Sequence, residues 1–426
     1  MCRAKSRPGI TGAKWPFMRF AKSTCEPNVT GPKDGLRVGF VPGLESALLV
    51  LAQELGLFER HGLRVCLCRE IGWATVREKI MHQELDAAVT PASLLFSIYA
   101  GLSGLRRSCL TGLCLGQSAN SIILSQALKD WGVRDMATLA SLIRQNRGRR
   151  TFSFGVSLEM ASQHFQLFDC LSRAGLNPRE DVDLTVIPST LLHESLRQGY
   201  LNGFIAPPPA STLAVLEGSG WVVATARELG GAKFESVLLV LEDFAAERHQ
   251  EHLHLMAALL EASAYGQDPS HREHVLELLT RSKQLGLPKS CLLALLGRAG
   301  PCKVEQLAQE EAGAYPVFAT QPPSRSFGKA VLEQFHSLSP NLPAAFSRTE
   351  ILSKVFREEL FHGAKSLVGR SRGRSSLRGD LPGPIGATQK PPRIKGFLPC
   401  TLNRARLSAP SLINETSPVS REALSV

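Results

Sequence analysis

The sequence predicts an α/β protein of two lobes, on three observations. Between Leu36 and Ala100 three short apolar strands alternate with helical stretches. The same alternation returns between Thr151 and Leu241, and from Phe244 to about Phe361 the pattern turns almost wholly helical. Strands separated by helices of roughly 10–16 residues need crossover connections, hence a parallel sheet covered on both faces.

Leu36-Arg-Val-Gly-Phe-Val-Pro42 reads as a strand closed by proline. Ser46 to His61 reads as one helix, with Leu48, Leu49, Ala52, Leu55 and Leu57 near helical spacing and Gly62 as its stop. Leu63–Cys68 is the second strand, Ala74–Glu84 a helix with Val76, Ile80 and Met81 on one face, and Asp86–Thr90 the third strand. Ligands of such sheets sit beyond the strand C-termini. Here those points are Pro42–Ser46, Glu70–Thr75 and Thr90–Ser93. None is a glycine-rich phosphate cradle. The second carries Trp73, a costly residue at a strand end unless it covers something.

Cys109–Cys114 and Asn120–Ser125 are further strands. The run Arg144-Gln-Asn-Arg-Gly-Arg-Arg150 reads as a solvated turn before the strand Thr151–Val156. Helices at 160–174, 191–198 and 210–217 then interleave with strands at 183–188, 202–206, 221–225 and 237–241. This second repeat implies its own sheet. The expected division is a basic extension over 1–35, a first lobe over 36–119, a second over 120–228, and a return with closing helices over 229–362. Helices are expected at 247–265, 272–281, 290–296, 326–335 and 349–360. Residues 363–426, rich in Ser, Pro, Gly and Arg, are read as disordered, as are 1–35.

The formal charge of +11 is carried by these ends: 1–35 hold seven basic residues against two acids, 363–426 eleven against three. The body between has 31 basic and 33 acidic residues, which argues against direct nucleic-acid binding by it. No apolar run approaches the ~18–20 residues of a membrane span. The ten cysteines are scattered without a CxxC pair, which points to a reducing compartment. Met1 to Gly35 has no apolar stretch of signal-peptide type, so a cytoplasmic protein is expected. His249, His252, His254, His271 and His274 lack a placed carboxylate or thiolate partner and read as a solvated helix face, so no metal is expected. Neither a nucleophile elbow nor a Walker-type loop is present. No catalytic residue or cofactor is assigned.

Several segments resemble the substrate-binding proteins of nitrate and bicarbonate ABC importers, a family that also includes cytoplasmic nitrate/nitrite sensors. They are Leu36-Arg-Val-Gly-Phe-Val-Pro, Gly56-Leu-Phe-Glu-Arg-His-Gly-Leu, Trp73-Ala-Thr-Val-Arg-Glu-Lys, Glu84-Leu-Asp-Ala-Ala, Gly175-Leu-Asn-Pro, Arg197-Gln-Gly-Tyr-Leu-Asn-Gly-Phe and Val355-Phe-Arg-Glu-Glu-Leu-Phe. The resemblance implies a type II periplasmic-binding-protein fold, with two α/β lobes hinged around a cleft. It implies a small oxyanion ligand (nitrate, nitrite or bicarbonate), held without chemistry. The family's tryptophan falls on Trp73, its amide at the first lobe crossing on Asn120 with Ser118 and Ser121 beside it, and its histidine on Gln163, next to His164. The lysine that pairs with nitrate falls on Ser236, with Lys233 three residues earlier, and a Gly-Glu-Pro-Trp segment is replaced by Pro207-Pro-Pro-Ala210. A leaderless sensor that holds a regulatory antiterminator is the expected role. The alternatives are an importer subunit served by a permease and ATPase, or an enzyme of thiamin-pyrimidine synthesis. The last depends in that group on a cysteine-rich run that this chain lacks.

Overall fold

Short β-branched and apolar runs buried on two faces organise both halves of the chain. The computed structural model describes residues 35–102, 104–231, 233–295, 317–338 and 350–375. The chain first lays down β1 (Leu36–Phe40), β2 (Val65–Arg69), β3 (Ala87–Pro91), β4 (Cys109–Leu110) and β5 (Cys114–Ser118). It then forms β6 (Ser121–Ser125), β7 (Ser153–Val156), β8 (Asp183–Val186), β9 (Gly203–Ala206) and β10 (Gly220–Ala224). It returns with β11 (Lys233–Leu241) and β12 (Thr320–Gln321).

Helices α1 (Ala47–Glu54), α2 (Leu57–Arg60), α3 (Trp73–Met81) and α4 (Ala92–Ala100) belong to the first segment. Helices α5 (Gln126–Asp130), α6 (Met136–Gln145), α7 (Ser162–Arg173), α8 (Ser189–Arg197) and α9 (Ala210–Leu216) cover the second sheet. After the return come α10 (Glu242–Glu247), α11 (His249–Gln267), α12 (Arg272–Arg281), α13 (Lys289–Leu295), α14 (Arg325–Leu338), α15 (Glu350–Val355) and α16 (Glu358–Ser375).

The first sheet runs β12-β5-β11-β3-β1-β2, with β4 also paired to β11; the second runs β10-β6-β9-β7-β8. Both are mixed rather than purely parallel. β1 is parallel to β2 and β3, whereas β11 returns antiparallel to β3 and β5, and β6 is antiparallel to β9 and β10. On β11, Leu238 and Val240 enter one core while Val237, Leu239 and Leu241 enter the other, as a strand covered on both faces requires. The second sheet is likewise sandwiched between two apolar clusters. This is the two-lobed, periplasmic-binding-protein-like fold expected from the resemblance.

Several elements depart from the sequence reading. The single helix expected over 46–61 breaks after Leu55, because Gly56 takes φ +65 and ends α1 as a left-handed cap. The expected strand Cys109–Cys114 is interrupted at Thr111, whose Oγ1 hydrogen-bonds both the carbonyl (3.1 Å) and the N–H (3.2 Å) of Leu113. The helix expected over 349–360 stops at Val355, because Thr111 exchanges backbone hydrogen bonds with Val355 and Arg357. The tail expected to be disordered from 363 begins instead as helix, with Leu360, Phe361, Ala364 and Leu367 seated in the core. The remainder of that tail, and 1–34, lie outside the described residues. His252 is not on a solvated face: it is fully buried beside Phe244, because α11 is a central helix packed against α1, α2 and α16.

Candidate functional site

The chain leaves the first sheet after Ser118 and comes back at Lys233, and the backbones of these two residues pair across β5 and β11. Both crossings between the lobes are thus adjacent. Asn120, 2% exposed, braces them. Its Nδ2 donates to Gln166 Oε1 on α7 (2.9 Å) and to Glu235 Oε1 on β11 (3.0 Å). Gln166 Nε2 in turn donates to the Leu229 carbonyl (3.2 Å).

On the far side of the cleft the lobe rims touch. Thr190 Oγ1 donates to the Ile71 carbonyl (3.2 Å), and a Cβ placed on Gly72 would lie 3.3 Å from Pro188 Cβ. Leu158 and Met160, from the loop after β7, pack against the first lobe's apolar cluster that contains Trp73. Trp73 itself opens α3 and is 3% exposed.

The other expected residues occupy the same region in different ways. Gln163 is buried, and its Oε1 accepts from Ser157 Oγ at 3.4 Å. His164 Nδ1 accepts from the Met160 N–H (3.3 Å), and burial holds its pKa below the usual imidazole range, so the ring is neutral. Ser236 is buried within β11 between Pro91 and Leu115 of the neighbouring strands. Ser118 is placed by its backbone at the end of β5.

A cavity of about 320 Å³ opens beside these residues. Its polar wall includes Ser93, Gln117, Ser162, Lys233, Glu235 and Gln321, and its apolar wall is led by Phe234, Phe327 and Val331. Trp73, Asn120, Gln163, His164 and Ser236 are not in its lining; the immediate neighbours Ser162 and Glu235 are. Two features favour a negatively charged group there. Helices α4 and α7 both begin at the cavity, at Ala92 and Ser162, which brings the positive ends of their dipoles beside it. Lys233 adds a cation. Ser93 Oγ, in a residue 4% exposed, has no hydrogen-bond partner among the described residues.

Sequence reasoning passed over two carboxylates. Glu235 lines the cavity, and Glu45 lies close enough to feel its charge. The Glu45 carboxyl folds back over Gly43, whose Cβ would fall 2.5 Å from Oε2. Burial pushes it up to about 7, its own backbone N–H partly offsets this, and the Glu235 charge raises it further. Pro42–Ser46 is one of the strand-end points legible in the sequence, so its position, although not its role, was available. Among the described residues no group of three or more His, Cys, Asp or Glu side chains is placed to hold a metal ion. The arrangement can hold a solute by hydrogen bonds and charge.

The chain is 32% identical over 272 residues to the bicarbonate transport ATP-binding protein CmpC of Synechocystis, covering 63% of this chain and 40% of that one. It is 22% identical over 285 residues to the bicarbonate-binding protein CmpA of Synechococcus elongatus, covering 64% and 63%. The crystal structure of the periplasmic nitrate-binding protein NrtA from Synechocystis superposes with a TM-score of 0.69 at 18% identity, covering 79% of this chain and 89% of the other. The chain thus spans less than half the length of the CmpC relative it matches. The model of the NMT1-like family matches residues 30–280, which include β1 to β11 and so both lobes and both crossings, and the chain belongs to that family.

Proposed function

We propose that the protein is a solute-binding protein whose lobes close on a small solute bearing an oxyanion group, with nitrate, nitrite and bicarbonate as first candidates, and that it binds without chemistry. The observation that carries this reading is the cavity onto which the first turns of α4 and α7 open beside Lys233. Nitrate- and bicarbonate-binding relatives support the choice of candidates.

The role we favour is a sensor whose closed and open forms present different surfaces to a partner. A solute moves that balance only by its preference for the closed form. Similarity to CmpC supports this role, because this chain carries no Walker-type loop. What the two share is then not a nucleotide site, and it suits a solute-responsive part that reports to another protein. The partner would be a regulatory antiterminator or an ABC permease and ATPase. We place this sensor in a cytoplasmic setting, on the scattered cysteines without a CxxC pair. A second reading, the solute-binding subunit of an importer, is favoured by the similarity to CmpA.

The test is thermal-shift and calorimetric titration of the full chain with nitrate, nitrite and bicarbonate, beside Lys233→Met. Saturable stabilisation that weakens roughly tenfold or more in the variant is expected, from loss of a charge-assisted contact. Absence of any saturable shift with all three anions would reject nitrate, nitrite and bicarbonate as the solute.

A further inference from the structure

The cavity walls hold opposite charges and a volume that an inorganic oxyanion does not use. We infer that the solute is a small zwitterionic organic molecule, with an ammonium group as well as an oxyanion group on a short apolar body. This rests on the proposed binding role and narrows its ligand.

Three observations carry it. First, Lys233 and Glu235 both line the cavity and lie two residues apart on β11, hence on the same face, with Cβ atoms roughly 6–7 Å apart at strand rise. A bare anion drawn to Lys233 and the helix starts would also meet the Glu235 carboxylate. That carboxylate would repel it, with the Glu45 carboxyl close by. A solute carrying its own ammonium group converts the repulsion into a second contact. Glu235 already accepts from Asn120 Nδ2, and a carboxylate has lone pairs for several donors.

Second, the volume of about 320 Å³ equals roughly ten water molecules at about 30 Å³ each, and it falls in the range of organic-ligand sites. A four-atom anion leaves most of that space to water. Third, the lining is divided. Phe234, Phe327 and Val331 offer an apolar bed for a carbon chain. Gln117, Gln321 and the unpartnered Ser93 Oγ can donate or accept, which suits a ligand with both kinds of group.

The experiment titrates the full chain by calorimetry with β-alanine and 4-aminobutanoate, their amine-free counterparts propanoate and butanoate, and nitrate and bicarbonate. The amino acids should bind about tenfold or more tightly than the amine-free acids, as loss of a charge-assisted hydrogen bond implies. In Glu235→Gln that ratio should fall towards one. Ala330→Trp, on the exposed rim of α14 where it lines the cavity, should weaken the amino acids by filling the space for their carbon chain. Nitrate or bicarbonate binding as tightly as the amino acids would overturn this inference and leave the proposed function standing. So would an amino-acid preference unchanged in Glu235→Gln. No binding by any probe would overturn both.

Discussion

Asn120 Nδ2 stands 3.0 Å from Glu235 Oε1 and 2.9 Å from Gln166 Oε1, so one amide ties β11, the returning strand of the first lobe, to α7 of the second. A buried side chain bridging both crossings sets the angle between the lobes as well as stability. Asn120→Ala should cost about 1–3 kcal/mol, because two acceptors lose a buried donor. Asn120→Asp should cost more, since it adds a carboxylate against Glu235. Denaturant unfolding measures the loss, and small-angle scattering reads the lobe angle. An alanine variant with unchanged stability and unchanged scattering would rule out the brace.

Glu45 makes stability depend on pH in an unusual direction for a carboxylate. Its pKa rises from 4.5 to about 7 on folding, so the unfolded chain releases this proton first. The folded state is undisturbed below 4.5, loses stability between 4.5 and about 7, and carries the full cost above that. A shift of that size corresponds to about 3 kcal/mol. Glu45→Gln should therefore raise stability above neutrality and change little at pH 4.5. Melting curves of both proteins across pH 4–8 test this, and parallel curves would show that Glu45 ionises freely.

His252 acts at the acid end. Among the described residues neither ring nitrogen has a hydrogen-bond partner, the residue is fully buried, and burial, with the nearby His249 charge, lowers its pKa from 6.5 to about 4. The unfolded state binds a proton below 6.5 that the folded state refuses until about 4. Stability is thus complete above 6.5 and falls across that window, by about 3 kcal/mol in full. His252→Leu should flatten this decline at similar volume. An acid transition unmoved by the substitution would assign it to other groups.

The architecture was legible because apolar strands covered on both faces leave a signal at their own positions: β1, β3 and β9 lie within two residues of the expected limits at either end. The candidate site was legible only as a region. Ser236 was singled out, yet the cavity is lined by Lys233, Phe234 and Glu235, and its lining stops one residue short of Ser236. Gln163 and Ser162 differ in the same manner at the start of α7, where one step turns about 100°. Glu45 carried no local signature, because its raised pKa comes first from burial, which the fold supplies, and then from the charge of Glu235, distant in sequence. His252 reads as polar among Gln250, Glu251 and His254, and only the packing of α11 between other helices buries it.

Gly72 gives a way to hold the lobes apart without touching the cavity. Its backbone is extended (φ −168), so a larger residue brings no conformational strain there, and Gly72 is absent from the cavity lining. A Cβ would sit 3.3 Å from Pro188 Cβ in the opposite lobe, tight but tolerable; the branched methyl groups of Gly72→Val would intrude further. The rims would have to separate, and the Thr190 hydroxyl would lose the Ile71 carbonyl beside it. Overpacking of this kind costs about 1–3 kcal/mol in a rigid core. Across a hinged cleft it should appear instead as opening, with a larger radius of gyration and solute affinity lowered by about tenfold for each 1.4 kcal/mol lost from closure. Scattering and calorimetry on Gly72→Val measure the two together. An open form that binds solute as tightly as the parent would show that the contact between Gly72 and Pro188 contributes nothing to the closed state.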